Sequence, residues 1–287
     1  MAPVLLQVGP LSIYGYGLML FMAFVVAFVI LSLELRRKLL DLHLARHITL
    51  LAIVFGVAGS KALSLFDQGE LASLPSWLGA WRDTMTWYGG LLGALAAILV
   101  YLRLRAAPIL KVLDAGAPAL MLAYGIGRLG CHLAGDGDYG LPTDLPWGTR
   151  YDHGLVPPSQ AFAGLPEVAA RYAGGVVPDD TPCHPTPVYE FGLGAIAGAA
   201  LLAAGRRQWP DGSVFWLYLV LASAQRFAVE FLRLNPPVAL GLTEAQLIAV
   251  ALGLVGLGGL ARPHLRSLSA RLVVARPVAT QKDGANA

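Results

Sequence analysis

The sequence predicts an all-α integral membrane protein of about seven transmembrane helices, with a periplasmic N-terminus and a cytoplasmic C-terminus. Three observations predict it. Hydrophobic residues make up 56% of the 287-residue chain and charged residues only 14%, where a soluble domain carries roughly a quarter. Seven apolar runs each approach the roughly 20 residues that a helix needs to cross about 30 Å of hydrocarbon. The basic residues gather in alternate connections between those runs, as cytoplasmic loops require.

In chain order the runs fall near Tyr14–Leu33, Ile48–Phe66, Thr86–Leu104, Val112–Leu133, Pro187–Ala204, Ser213–Leu232 and Thr243–Ala261. They mostly lack the polar face of a soluble amphipathic helix. Helix is the expected state because backbone groups in lipid must be satisfied within the segment. No positive region precedes the first run, so it reads as a retained span and not as a cleaved signal peptide. Arg36, Arg37, Lys38 and Arg46 follow run one; Arg103, Arg105 and Lys111 follow run three. Arg206 and Arg207 follow run five, and five further basic residues from Arg262 to Lys282 follow run seven. These connections hold 14 of the 21 basic residues.

The domain expected is residues 1–262, with a long Gly-, Pro- and Asp-rich outward connection at about 135–186, then a basic cytoplasmic tail over 263–287 whose end from Thr280 is expected to be disordered. A net charge of +3 is too small to argue for nucleic acid. Two cysteines, Cys131 and Cys183, cannot form a thiolate metal site alone, and neither a CxxC nor an HExxH motif is present. No metal or cofactor is expected. Thr243-x-x-Gln246 reads as a capping box opening the last run, a local device.

Ionisable residues inside spans face a bundle interior and mark function. Arg128 lies near the outward end of run four. Arg226 and Glu230 lie four apart, on one helix face. The functional reading is an anion site, since the arginine fork matches phosphate; the structural reading is an Arg–Glu pair that locks helices, or an arginine that snorkels. Gly89, Gly90 and Gly93 are spaced for close helix approach, and Tyr88 beside them suits an interfacial anchor. Asp136 and Asp138 in Gly-Asp-Gly-Asp-Tyr-Gly suit a solvated turn or, less readily, a cation. His132 and His184 neighbour the two cysteines, and either suits a base or a structural place. A Cys131–Cys183 bond is open on the outward side.

Several segments together resemble the bacterial prolipoprotein diacylglyceryl transferases. They are Tyr16-Gly-Leu-Met19, Trp87-Tyr-Gly-Gly-Leu-Leu-Gly93, Asp114-Ala-Gly-Ala-Pro118 through Gly127-Arg-Leu-Gly130, His184-Pro-Thr-Pro-Val-Tyr-Glu190, Arg226-Phe-Ala-Val-Glu-Phe-Leu-Arg233 and Gly241-Leu-Thr-x-x-Gln246. They occur in family order from about residue 14 to 260. The resemblance implies an inner-membrane enzyme that moves the diacylglyceryl group of phosphatidylglycerol to the lipobox cysteine of a prolipoprotein signal peptide. Membrane lipid and that peptide are then the partners, with no nucleic acid. It implies Arg128 and Arg226 for phosphate binding and leaving-group stabilisation, with Glu230 orienting Arg226. It implies Tyr16, Asp136, Gly89, Gly90 and Gly140 for substrate binding.

Two departures stand out. The family's usual His is Tyr88 here, and its Asn-Phe after Gly-Arg-x-Gly is Cys131-His132. A tyrosine of ordinary pKa near 10 serves as a base only if Arg128 or Arg226 lowers it; His132 or His184 is the other choice. A catalytically silent or altered-acceptor lipid-binding paralogue is therefore the alternative. A transporter with an anion site is a third class, but the pseudo-symmetric halves common in transporters are not visible.

Overall fold

The computed structural model describes residues 3–8, 11–69 and 86–274. Its long helices follow the seven apolar runs: α1 Gly15–Arg37, α2 His43–Asp67, α3 Trp87–Leu104, α4 Ile109–Ala134, α5 Thr186–Gly205, α6 Ser213–Glu230 and α7 Glu244–Val274. Five are long and apolar enough to cross a membrane: α1, α2, α4, α5 and the Glu244–Arg262 part of α7. The apolar stretch of α3, Tyr88–Leu104, is shorter, and α6 is diluted by Gln225, Arg226 and Glu230. Large apolar side chains such as Phe21, Ile196 and Leu254 stand exposed on these helices, as lipid-facing positions require. The chain is an α-helical, multi-pass membrane protein.

One feature departs from an all-α expectation. Val4–Val8 and Leu11–Tyr14 form an antiparallel hairpin ahead of α1. Its two strands are only five and four residues long and run directly into the first span, so their apolar residues merge with the helical run in the sequence. The α7 helix also continues past residue 262 to Val274, into the segment expected to be a tail. The tail end from Thr280 lies outside the described residues.

The central element is α4, which packs against α1, α5 and α6, while α2 pairs with α3 and α7 with α6. At the end expected to be cytoplasmic, Leu31 and Leu35 of α1, Leu44 and Ala45 of α2, Leu102 of α3 and Val112, Ala115 and Ala119 of α4 form one buried core. Buried Asp114 of α4 accepts the backbone N–H groups of Gly212 and Phe215, each at 2.9 Å. It thereby caps α6 from a neighbouring helix, satisfying amides that a helix N-terminus leaves open. Lys38 Nζ lies 3.5 Å from the same carboxylate, so one residue ties α1, α4 and α6.

The glycines of α2 and α3 do what their spacing predicts. A Cβ on Gly89 would lie 2.4 Å from the Gly59 carbonyl oxygen, and one on Gly93 would lie 2.5 Å from that of Phe55. The two backbones are in contact, and no larger residue fits.

Past α4 the chain folds into a small subdomain, in the connection expected to face outward, with its own core of Tyr139, Tyr151, Phe162, Val177 and Cys183. It contains two single-turn helices, Pro158–Ala161 and Pro166–Ala169, and short bridges such as Pro142–Cys183 and Thr149–Cys183. Tyr139 stacks on Tyr151 with centroids 4.1 Å apart.

Candidate active site

The site begins with a turn. Gly135 caps α4 at φ 59° and Gly137 follows at φ 89°, conformations that glycine adopts without strain. This reverses the chain and returns Asp138 to the end of the helix it has just left. Arg128, one and a half turns back, ion-pairs with Asp138 through Nη1. The Asp136 carboxylate meanwhile accepts the Asp138 N–H at 3.3 Å, an Asx-type turn. Of the two acids expected in a solvated turn, only Asp136 closes one.

A buried carboxylate on α5 forms the hub. Glu190 is fully enclosed. Its Oε2 accepts Arg128 Nε at 2.6 Å, and its Oε1 accepts Arg226 Nη1 at 3.3 Å and the Tyr124 hydroxyl at 2.6 Å. Arg233 Nη1 lies 3.7 Å from Oε2. From α6, Gln225 Nε2 donates to the Glu190 carbonyl at 3.0 Å, which fixes α5 against α6 at this level.

Glu230 forms the second pole. The i,i+4 pair is present: Arg226 Nη2 lies 2.8 Å from Glu230 Oε2. Arg233 Nε lies 3.6 Å from the same oxygen. The other oxygen accepts Asn235 Nδ2 at 2.6 Å and the Thr243 hydroxyl at 2.8 Å. Thr243 belongs to a true capping box, since Gln246 N–H reaches its hydroxyl at 3.2 Å and the Gln246 side chain accepts the Thr243 N–H at 3.1 Å. The box is therefore more than local: it hands the start of α7 to Glu230.

Arg233 closes the ring. Its guanidinium pairs with the Asp138 carboxylate and donates to the Asp138 carbonyl at 3.1 Å. Three arginines thus face three carboxylates, Asp138, Glu190 and Glu230, contributed by α4, the turn after it, α5, α6 and the residue three past the end of α6. Burial alone would raise the Asp138 pKa, but Arg233 and Arg128 outweigh it and hold it at about 2. Asp136 shifts the other way, raised by burial and by the neighbouring Asp138 charge. Of the three arginines Arg226 is the most open, with 27% of its side chain exposed.

The predicted residues divide. Arg128, Arg226, Glu230 and Asp136 come together at one end of the bundle. Tyr16 joins them from α1: its ring and backbone, with Met19, cover Gly130, where a Cβ would lie 3.2 Å from Tyr16. Gly140 lies where a Cβ would be 2.3 Å from the Leu232 carbonyl oxygen. Its absence lets the loop strand pair alongside Arg233. Tyr88, Gly89 and Gly90 lie outside the ring, because α3 packs chiefly on α2 and the described contacts of the ring involve no residue of α3. Tyr88 is 44% exposed.

Glu190 and Arg233 are the residues that the sequence reading did not single out. Glu190 closes a quoted motif and Arg233 ends another, but nothing in spacing links an acid on α5 to arginines on α4 and α6. His132 and His184 have structural partners: His132 Nδ1 lies 3.1 Å from the Tyr151 hydroxyl, and His184 Nδ1 lies 3.3 Å from that of Tyr189. Cys131 and Cys183 are free thiols. Cys131, Asp136 and Asp138 hold potential ligand atoms within 4.8 Å of one another. Both Asp138 oxygens are engaged by arginine, so the trio lacks the free donors of a divalent-cation site.

Arg128 and Arg226 converge on the two oxygens of one carboxylate. Such forks also match the oxygens of a phosphate ester. The fold and site define a class: a multi-pass α-helical membrane protein with a ring of three arginines and three carboxylates at one end of its bundle. The chain belongs to the prolipoprotein diacylglyceryl transferase family, whose model matches residues 3–262. It is similar to the phosphatidylglycerol–prolipoprotein diacylglyceryl transferase of Geobacter sulfurreducens, with 33% identity over 89% of this chain and 92% of that one. The protein of the same name from Clostridium tetani is 29% identical over 82% of this chain and 87% of its own. That from Bordetella avium is 31% identical over 80% and 81%.

Proposed function

We propose that the chain transfers the diacylglyceryl group of phosphatidylglycerol to the lipobox cysteine thiol of prolipoproteins. It does so at the outward face of the bacterial inner membrane, as a seven-span protein with its N-terminus outside. The observation that carries this reading is the convergence of Arg128 and Arg226 on a single oxyanion position. The nucleophile is a thiolate. It attacks the glyceryl carbon next to the phosphate; the S–C bond forms, the C–O bond breaks, and glycerol phosphate leaves. Negative charge grows on that phosphate, and preorganised cations in a water-poor site stabilise it strongly.

In this reading Arg226, the more open arginine, receives the phosphate, and Arg128 meets it from α4. Glu230 and Glu190 hold both forks in plane. Tyr16 lines the lipid side of the site, Asp136 and Gly140 its outward rim, and Gly89 and Gly90 lie at the α2–α3 contact. The alternation of basic connections supports the orientation, since α2, α4 and α6 are each preceded by such a connection.

One observation favours the alternative of a silent or altered-acceptor relative: the position of the family's usual His holds Tyr88. Purified protein is given phosphatidylglycerol labelled in its acyl chains and a lipobox peptide. Label on the peptide cysteine, lost in Arg226→Ala and reduced at least tenfold in Arg226→Lys, is the expected result. No label from folded protein across varied lipids and peptides, with lipid binding that tolerates Arg226→Lys, overturns the transferase in favour of the silent relative.

A further inference from the structure

Four carboxylates stand at the outward end of the bundle, and three of them are engaged. Asp138 pairs with Arg128 and Arg233, Glu190 with all three arginines, and Glu230 with Arg226 and Arg233. A carboxylate held between guanidinium groups is a poor proton acceptor, because its charged form is the one stabilised. Asp136 differs. Among the described residues it makes no ion pair; it accepts the Asp138 N–H at 3.3 Å and is also a hydrogen-bond partner of the neighbouring Cys131 thiol. The groups that face it are Tyr16 of α1, Arg128 and Cys131 of α4, and Asp138, Tyr139 and Tyr151 of the outward loop. It is only half-buried, beside the exposed Tyr16. It is thus the one described acid that lies next to the arginine ring without belonging to it.

We propose that Asp136 is the proton acceptor for the incoming cysteine thiol. This rests on the transferase reading above and gives the thiol a base in a chain whose usual family His is Tyr88. The thiol proton passes to the Asp136 carboxylate as the sulfur lone pair forms the S–C bond. The C–O electron pair leaves with the phosphate, against Arg226 and Arg128. Asp136 then gives the proton to the departing phosphate monoester, which resets the carboxylate. Its raised pKa suits this task, since a base works best with a pKa nearer the operating pH. Burial and the like charge of Asp138 raise it, against the hydrogen bonds from Cys131 and the Asp138 N–H and the charge of Arg128.

The test compares two acceptor peptides, one with cysteine and one with selenocysteine, whose selenol is already ionised at neutral pH. Loss of a general base typically removes about 10²–10⁴-fold in rate. At saturating phosphatidylglycerol, Asp136→Asn should lose at least 100-fold in rate on the cysteine peptide and less than tenfold on the selenocysteine peptide. Equal losses on both, or none on cysteine, overturn the proposal. The unaltered protein gives a second measurement that does not depend on the variant folding. Its rate on the cysteine peptide should level off below the thiol's own pKa of about 8.5. A rate that climbs tenfold per pH unit up to that value shows that the thiol ionises without a base, and sinks the idea. Activity on neither peptide overturns the transferase reading itself, and Asp136 as base with it.

Discussion

Removing the Glu190 carboxylate takes away the one buried acid that Arg128, Arg226 and Arg233 share. Breaking a buried ion pair at one partner typically costs about 3–5 kcal/mol. Glu190→Ala should therefore lower the unfolding free energy by that order in detergent, and a denaturation midpoint equal to the parent's would refute its place as hub. Asp138 gives a pH signature. Its folded pKa of about 2 lies below the unfolded value of about 3.9. Its contribution to stability is present above about pH 4 and is lost as pH falls toward 2. Asp138→Asn should flatten the melting temperature over that window. A parent-like fall in the variant would show that other groups carry it.

At the scale of elements, the loop strand at Gly140 has no room for a side chain. Gly140→Ala sets a methyl against the Leu232 carbonyl and against Thr186 and His184. Overpacking of this kind typically costs about 1–3 kcal/mol. The backbone must move away from α6, which separates Asp138 from Arg233, so transfer activity should fall with stability. A fully active variant would mean that the loop seats itself without that contact. The same argument separates the glycines of α2 and α3 from chemistry. They bring two backbones into contact, and α3 is thereby committed to α2 and not to the arginine ring.

For the whole molecule, the orientation is directly measurable. In the proposed orientation, Gln160→Cys in the subdomain after α4 should react with a membrane-impermeant thiol reagent in intact spheroplasts, while Gln208→Cys, between α5 and α6, should react only after lysis. The reverse pattern would invert the topology and place the arginine ring in the cytoplasm. The native thiols provide a quiet background, because Cys131 and Cys183 are both buried and unpaired.

Composition and run length determined the helical membrane class and the approximate limits of seven helices, because lipid demands continuous apolar segments with internally satisfied backbones. The i,i+4 face of Arg226 and Glu230, the glycine contact of α3 and the capping box were equally legible, because helical periodicity converts spacing into geometry without help from the rest of the chain. The N-terminal hairpin was not, since short strands adjoining a span carry no period of their own. Tertiary structure alone decided which charges meet. Glu190 and Arg128 are 62 residues apart in the chain, as Glu190 and Arg226 are 36. No local pattern joins them; only the packing of α4 against α5 and α6, and the glycine turn after α4, brings three arginines and three carboxylates into one ring and leaves Asp136 beside it.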